Sequence, residues 1–300
     1  MTGNGFVLLE DRGVLAIGGP DRATFLQGLV SNDVNKVTPE RAIHAALLSP
    51  QGKFLFDFFI ASHGESLLLD CEGARLGELA RRLGLYRLRS KVALSDRSEA
   101  LVVAALPGPA AAAHLHLPPD AGTARGLDQG IVFVDPRLAE AGARAILPRG
   151  RAEAILHQAG LAPRPRAEYE RLRLRLGLPD GSRDMVVDKA ILLENGFDEL
   201  NGVDWEKGCF MGQELTARTR YRGLVKKRLL PVRIDGDLPP PGTAVRQGQR
   251  EVGEVRSGQD DVALALIRLE ALEQPEAPLL AGDARLTPIT PSWARLERLR

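Results

Sequence analysis

Cysteine is nearly absent. In 300 residues there are two, Cys71 and Cys209. Two thiols far apart in sequence cannot supply the four protein ligands of a structural zinc or of a conventional iron-sulfur cluster, and a chain of this length does not need a disulfide for its stability. Any metal held by thiolate here is transient or shared. Net charge is nearly absent as well: 40 Lys and Arg offset 39 Asp and Glu, leaving +1 at pH 7. The molecule as a whole is therefore not committed to nucleic acid, membrane or an acidic ligand, and a basic site must be local. Long apolar runs are missing too. The longest charge-free stretch, 100–119, is interrupted by Pro107 and Pro109, which would break a helix inside lipid. No membrane partner is expected. The opening Met-Thr-Gly-Asn-Gly-Phe lacks the segments of a secretory signal and the Arg- and Ser-rich character of an organellar presequence, so the expected location is a bacterial cytoplasm or its matrix equivalent.

What is present is the balance of a globular protein, 44% hydrophobic and 26% charged, long enough for two or three packed units. Val14-Leu15-Ala16-Ile17 reads as a strand. It runs through Gly18-Gly19-Pro20 to Asp21, placed to cap a helix over 23–30 that Ser31-Asn32-Asp33 ends. The apolar runs 42–48 and 54–61, joined by Ser49-Pro50-Gln51-Gly52-Lys53, predict a hairpin, with Phe54, Phe56 and Phe58 on one packed face. Residues 66–71 add a strand that places Cys71 in the core. A helix is expected over 75–83, and short strands over 92–94, 101–106 and 131–134. The Ala- and Pro-rich piece 107–119 reads as an exposed connection carrying His114 and His116. Helices follow over 153–158 and 167–176. The five histidines, His44 among them, form no metal-ligand spacing.

After Lys226 the pattern changes to short strands over 228–234, 244–246, 252–256 and 262–267 with Gly/Pro turns between, which suggests a closed or nearly closed β-barrel. The expected class is α+β, divided into a portion spanning 1–225 and a barrel spanning 226–300. No internal repeat is evident.

One segment stands apart. From Glu206 to Arg233 there are eight Lys or Arg against two Glu, too few acids for a helix face laced with ion pairs. Gly208 and Gly212 flank Cys209, and 213–219 has good helix formers. Cys209 thus precedes a helix N-terminus, with Lys207 beside it and Arg218, Arg220 and Arg222 downstream. Such surroundings favour a thiolate, which is both nucleophile and metal ligand; an inert cysteine in a tight turn is the alternative reading. A folate polyglutamate tail, a phosphate backbone or a glutathione carboxylate would each satisfy the positive charge.

The run Lys207-Gly208-Cys209-Phe210-Met211-Gly212-Gln213-Glu214 resembles the K-G-C-[FY]-x-G-Q-E signature of the YgfZ family, the folate-binding relatives of the glycine-cleavage T-protein. Its continuation, Leu215-Thr216-Ala217-Arg218-Thr219, Arg222-Gly223 and Lys226-Lys227-Arg228-Leu229, is similar to the branch of the mitochondrial iron-sulfur assembly factor. Further matches are Leu26-Gln27-Gly28-Leu29-Val30-Ser31-Asn32-Asp33-Val34, Tyr86-Arg87-Leu88-Arg89-Ser90-Lys91, Arg173-Leu174-Arg175-Leu176-Gly177 and Glu199-Leu200-Asn201-Gly202-Val203. The resemblance implies a T-protein-like fold: a folate-binding N-terminal portion of two intertwined α+β subdomains, then a C-terminal β-barrel. It also implies support of 4Fe-4S protein maturation, including enzymes that modify tRNA, without nucleic acid as a direct partner. Cys209 would be the reactive thiol or transient metal ligand, set among Lys207, Gly208, Gly212, Gln213 and Glu214. The implied cofactor is tetrahydrofolate or a derivative, near Asp57, Arg175, Asn201, Trp205, Arg218 and Arg222. A transient iron-sulfur cluster would be shared with an A-type scaffold or a monothiol glutaredoxin.

Two positions depart from the T-protein pattern. Its Asp-Asp pair in the hairpin is matched by Phe56 and Asp57, and its folate-recognising Glu by Arg175, which cannot accept a hydrogen bond. Both departures argue against aminomethyl transfer. An enzymatic one-carbon transferase, with Asp57 as the remaining acid, and an RNA-binding accessory protein are the alternatives.

Overall fold

The computed structural model describes residues 4–273 and 277–296. The chain forms two compact units: Met1–Leu48, Leu55–Tyr169 and Leu200–Met211 make the first, and Ser49–Phe54, Glu170–Glu199 and Gly212–Arg300 the second. The units interleave along the chain, so the barrel from 226 onward shares its unit with two earlier segments.

The first unit is built on two sheets. One has the strand order Ile43–Leu48, Phe54–His63, Ser66–Glu72, Arg12–Gly18, Ala93–Asp96; the other has Ala162–Pro163, Gly5–Leu8, Leu101–Pro107, Gly142–Pro148, Gly130–Val134, Ala124–Leu127. Strand periodicity sends alternate residues to opposite faces. Val14, Ala16, Phe59, Ala61 and Leu68 from one sheet meet Leu101, Val103, Ala105, Phe133 and Ile146 from the other. The opposite face of the second sheet, with Val102, Ala104 and Leu106, packs under Ala111, Ala112, Leu115, Ile155 and Leu156. Both faces of Leu101–Pro107 are therefore buried, which is why its sequence shows no polar alternation.

The hairpin forms where expected, and Cys71 lies in the core strand Ser66–Glu72. Phe54, Phe56 and Phe58 are buried, but so are Leu55, Asp57 and Phe59 between them, so that strand is covered on both faces. The 107–119 piece is a correction. It contains the helix Ala110–His114, and Ala111, Ala112, Leu115 and Leu117 belong to the core. The helix after Asp21 also differs: it covers only Arg22–Gln27, and Asp21 makes no capping bond, its carboxylate instead accepting from the Lys91 N–H at 2.6 Å.

In the second unit six strands close a barrel in the order Lys227–Asp235, Val262–Arg268, Arg250–Gln259, Ala244–Gln247, Leu279–Ala281, Ala284–Pro288. The last two of these strands were not apparent in the sequence. Val232, Val245, Val255, Ala265, Ile267 and Leu286 fill its interior. Elsewhere in this unit the buried Arg173 guanidinium donates to Glu170, Asp184, the Leu178 carbonyl and Ser257. Among the described residues no helix is long and apolar enough to cross a membrane.

Candidate functional site

Cys209 is exposed, whereas Cys71 is buried. Burial pushes the Cys71 thiol up to about 12, so it is chemically silent at neutral pH. The loop that presents Cys209 is short, buries Phe210 and is held mainly by the Lys207 side chain. Gly208 and Gly212 both adopt left-handed conformations, at φ +91° and +80°, where any side chain would be strained. That is a physical reason for glycine on either side of the Cys209-Phe210-Met211 segment.

The support comes from the chain just after the helix Arg22–Gln27. Lys207 Nζ donates to the carbonyls of Gln27 at 2.7 Å, Val30 at 2.6 Å and Asn32 at 2.9 Å. The Met211 N–H reaches the Gly28 carbonyl at 3.1 Å. Ser31 Oγ donates to the Gly202 carbonyl at 2.6 Å, and its own carbonyl accepts from the Asp204 N–H at 3.0 Å. Asn32 bonds the carbonyls of His44 and Asn201, both at 2.7 Å. The segment 26–34 is thus a cradle for 201–211, with Lys207 as its central peg. Gln27 is the last residue of the helix and Val30 and Asn32 lie beyond it, so none of the three carbonyls bound by Lys207 has a helical N–H to accept from.

Lys207 was expected to assist ionisation of the neighbouring thiol. Its ammonium is instead spent on the three carbonyls, with the Phe210 ring centroid 5.3 Å away. Burial draws its ammonium down to about 8. Asp204 is the second peg. It accepts from the Glu206 N–H at 2.8 Å and pairs with Lys36. Burial alone would raise this carboxyl, but Lys36 and the Glu206 and Lys207 N–H groups outweigh it and hold it below the usual carboxylate range.

A second constellation lies between the two sheets of the first unit. Asp70 accepts from Arg12 Nε at 2.6 Å and from Arg144 Nε at 2.9 Å and Nη2 at 2.6 Å, all three side chains being buried. Arg137 forks onto Asp135, and both Arg137 and Arg144 lie over the Phe59 ring, at 4.9 and 4.2 Å. Asp57 meets buried His44, with His44 Nε2 3.1 Å from Asp57 Oδ2. Burial lowers the His44 imidazole against the pull of Asp57, so neutral His44 donates from Nε2. No local pattern marks His44 for this role, although Asp57, Phe59 and Ala61 alternate toward the same face.

The residues expected around a folate are placed as follows. Asp57 is spent on His44, and the Asn201 amide donates to the Pro136 carbonyl at 3.2 Å; Trp205 is half-buried. In the second unit Arg175 and Arg222 are exposed, and Arg218 pairs with Glu214 at 2.5 Å across one helical turn. That pair corrects the reading of the basic run as free of helix-face ion pairs. Buried Arg228 from the same run is also neutralised, by Glu199. Within each unit taken separately, these residues do not fit a pterin: the acid and the amide that could hold its donor edge already have partners. Gly212, Gln213 and Glu214 open the helix Gln213–Tyr221 of the second unit, and the boundary between the units falls between Met211 and Gly212. Among the described residues, no three His, Cys, Asp or Glu side chains gather as a metal site.

The fold is similar to that of the glycine cleavage system aminomethyltransferase T from Bartonella henselae, with a TM-score of 0.76 over 99% of this chain and 88% of that one at 17% identity. Residues 226–296 match the family described as CAF17, C-terminal beta-barrel domain. Over most of its length the chain is similar to proteins named iron-sulfur cluster assembly factor IBA57, mitochondrial. The Homo sapiens protein is 36% identical over 89% of this chain and 78% of its own length, and the Mus musculus protein 32% over 95% and 84%. The homolog of Pyricularia oryzae is 32% identical over 93% of this chain and 77% of its own length. These relatives agree with the mitochondrial-type branch to which the Cys209 segment pointed. With its T-protein-like fold, its C-terminal barrel and 36% identity to the Homo sapiens protein over 89% of its length, the chain belongs to the IBA57 family of iron-sulfur cluster assembly factors.

Proposed function

We propose that this protein assists the maturation of 4Fe-4S proteins, with Cys209 as a single ligand offered to a cluster that is cargo and is shared with a partner protein. The observation that carries the proposal is the contrast between its two thiols: Cys71 is sealed in a strand, and Cys209 is held outward on a loop pegged by Lys207 and Asp204. One thiolate supplies one of the four ligands a cluster takes, so the others must come from a thiol-bearing partner. An A-type scaffold or a monothiol glutaredoxin has that chemistry. The names of the relatives support the assembly role, and a matrix or bacterial-cytoplasm setting suits it. A loop already tied down by hydrogen bonds around an exposed ligand lowers the ordering cost of capture.

The test is anaerobic reconstitution of the protein and of Cys209→Ser with each partner, followed by visible spectroscopy and size analysis. A coloured heteromeric complex formed only when Cys209 is present is the expected result. Equal colour and equal complex with the serine variant would remove Cys209 from the role. The folate part of the reading has no comparable support, and no step is routed through that cofactor. Titration with tetrahydrofolate, read by the fluorescence of Trp205 in a Trp293→Phe background, is its measurement: saturable quenching supports it, and a linear inner-filter response removes it.

A further inference from the structure

The end of the helix Leu76–Tyr86 carries a surface that neither the fold nor the cysteine loop explains. The helix buries Leu76, Leu79 and Leu83, yet its last turn and the loop after it turn apolar side chains outward: Leu85 is 66% exposed and Leu88 is 90% exposed. Leu88 also sits at φ +41°, a conformation that costs a branched side chain energy and that glycine would occupy freely. A strained residue that holds a bare leucine in water gains nothing from folding, and such strain clusters at functional positions.

Around it the charge has one sign. From Arg81 to Lys91 there are five Lys or Arg and no acid. Arg82 pairs with Glu78, but the side chains of Arg81, Arg87, Arg89 and Lys91 are exposed and form no ion pair among the described residues. Favourable interaction with the helix C-terminus accounts for Arg87. It does not account for Leu85 and Leu88. Exposed aliphatic anchors inside a ring of arginine match the anatomy of a protein interface. They do not match a strand-tracking nucleic-acid surface, which needs aromatic platforms and here has only Tyr86.

This surface is tied to the cysteine loop through one short element. Asp21, at the start of the helix Arg22–Gln27, accepts the Lys91 N–H at 2.6 Å, and just past its end Gly28 accepts the Met211 N–H at 3.1 Å. At 1.5 Å per residue those two anchors are about 10 Å apart. A standard interface of about 800 Å² per partner is roughly 30 Å across and covers both.

The geometry points to the surface Leu85–Tyr86–Arg87–Leu88–Arg89 as the docking site of an acidic protein with an apolar pocket for Leu88. That protein is the one that brings its own thiols to Cys209; the assignment rests on the cluster-sharing role proposed above. Docking and ligation are then separable, because the first needs no cluster.

The experiment measures binding of the cluster-free A-type scaffold to the full chain by titration calorimetry, for the parent, Leu88→Asp, Leu88→Gly, the double variant Arg87→Glu/Arg89→Glu, and Cys209→Ser. The docking site predicts a loss of about tenfold or more in affinity for the first three variants and none for Cys209→Ser. Leu88→Gly relieves the backbone while removing the anchor, so its melting temperature should hold or rise as its affinity falls. Parent-like affinity in Leu88→Asp and Leu88→Gly would overturn the docking site and leave the cluster role standing if colour still requires Cys209. A parent that binds no cluster-free scaffold overturns the docking site, while the cluster role stands or falls on whether the coloured complex requires Cys209. Loss in these variants of binding to transfer RNA or to phosphatidylserine vesicles, with scaffold binding intact, would give the surface to those partners instead and overturn the assignment.

Discussion

The interior of the first unit and the interior of the barrel are closed by different means. In the barrel the core is made of Val, Ile, Ala and Leu, and closing the ladder from Lys227–Asp235 around to Ala284–Pro288 leaves no edge to pair. Between the sheets of the first unit, apolar residues share the layer with Arg12, His44, Asp57, Asp70, Asp135, Arg137 and Arg144. Buried charges cost several kcal/mol each in desolvation unless they are paired and hydrogen-bonded, so every pair in this layer has to form together. The barrel closes by apolar packing, whereas the charged layer closes by pairs that are costly when any one partner is missing.

The most severe way to break that comparison is Asp70→Ala, which strands two buried guanidiniums. A loss of about 3–5 kcal/mol is expected, measured by urea unfolding. The joint replacement Arg12→Met, Asp70→Leu, Arg144→Met should recover most of that loss, because a buried triad is expensive to break and cheap to replace. Recovery would show that the charges are not what stabilises this layer.

Lys207→Met removes one ammonium from three carbonyls of the cradle and should cost about 2 kcal/mol. Hydrogen exchange should show the loss in 26–34 and 201–211 and leave the barrel strands protected. A uniform loss across the chain would mean that the cradle is not a local device.

A pH series tests the layer more gently. Burial holds the His44 imidazole below its ordinary 6.5, so the unfolded chain takes up a proton that the folded one refuses. The contribution of His44 to stability is complete above about pH 6.5 and is lost as pH falls below that value. Urea midpoints between about pH 5 and 7 should therefore fall with acidity, and His44→Gln should flatten the slope. Among the described residues the core of the barrel is apolar, and Ile267→Val there should cost only about 1 kcal/mol at every pH in that range.

Local patterning carried much of this structure. The hairpin, the strand of Cys71, the helices after 152 and 166, and the first four barrel strands follow from alternation, turn residues and helix formers, which act over a few residues. The Cys209 signature and its two glycines were equally visible, since left-handed backbone favours glycine. Local pattern fails where burial is two-sided or where partners are distant. Residues 107–119 read as solvent-facing because Pro and Ala carry no period, yet the second sheet needed a cover and took Ala111, Leu115 and Leu117. The role of Lys207 was misjudged because its three acceptors lie about 180 positions away in sequence, as Gln27 does. His44 and Asp70 were silent because their partners are neighbours only in space: Asp57 and Arg12 come from adjacent strands of the same sheet, and Arg144 from the other sheet. Periodicity is a property of neighbours in sequence, whereas electrostatic pairing is a property of neighbours in space, and the charged layer and the cysteine cradle consist almost entirely of the second kind.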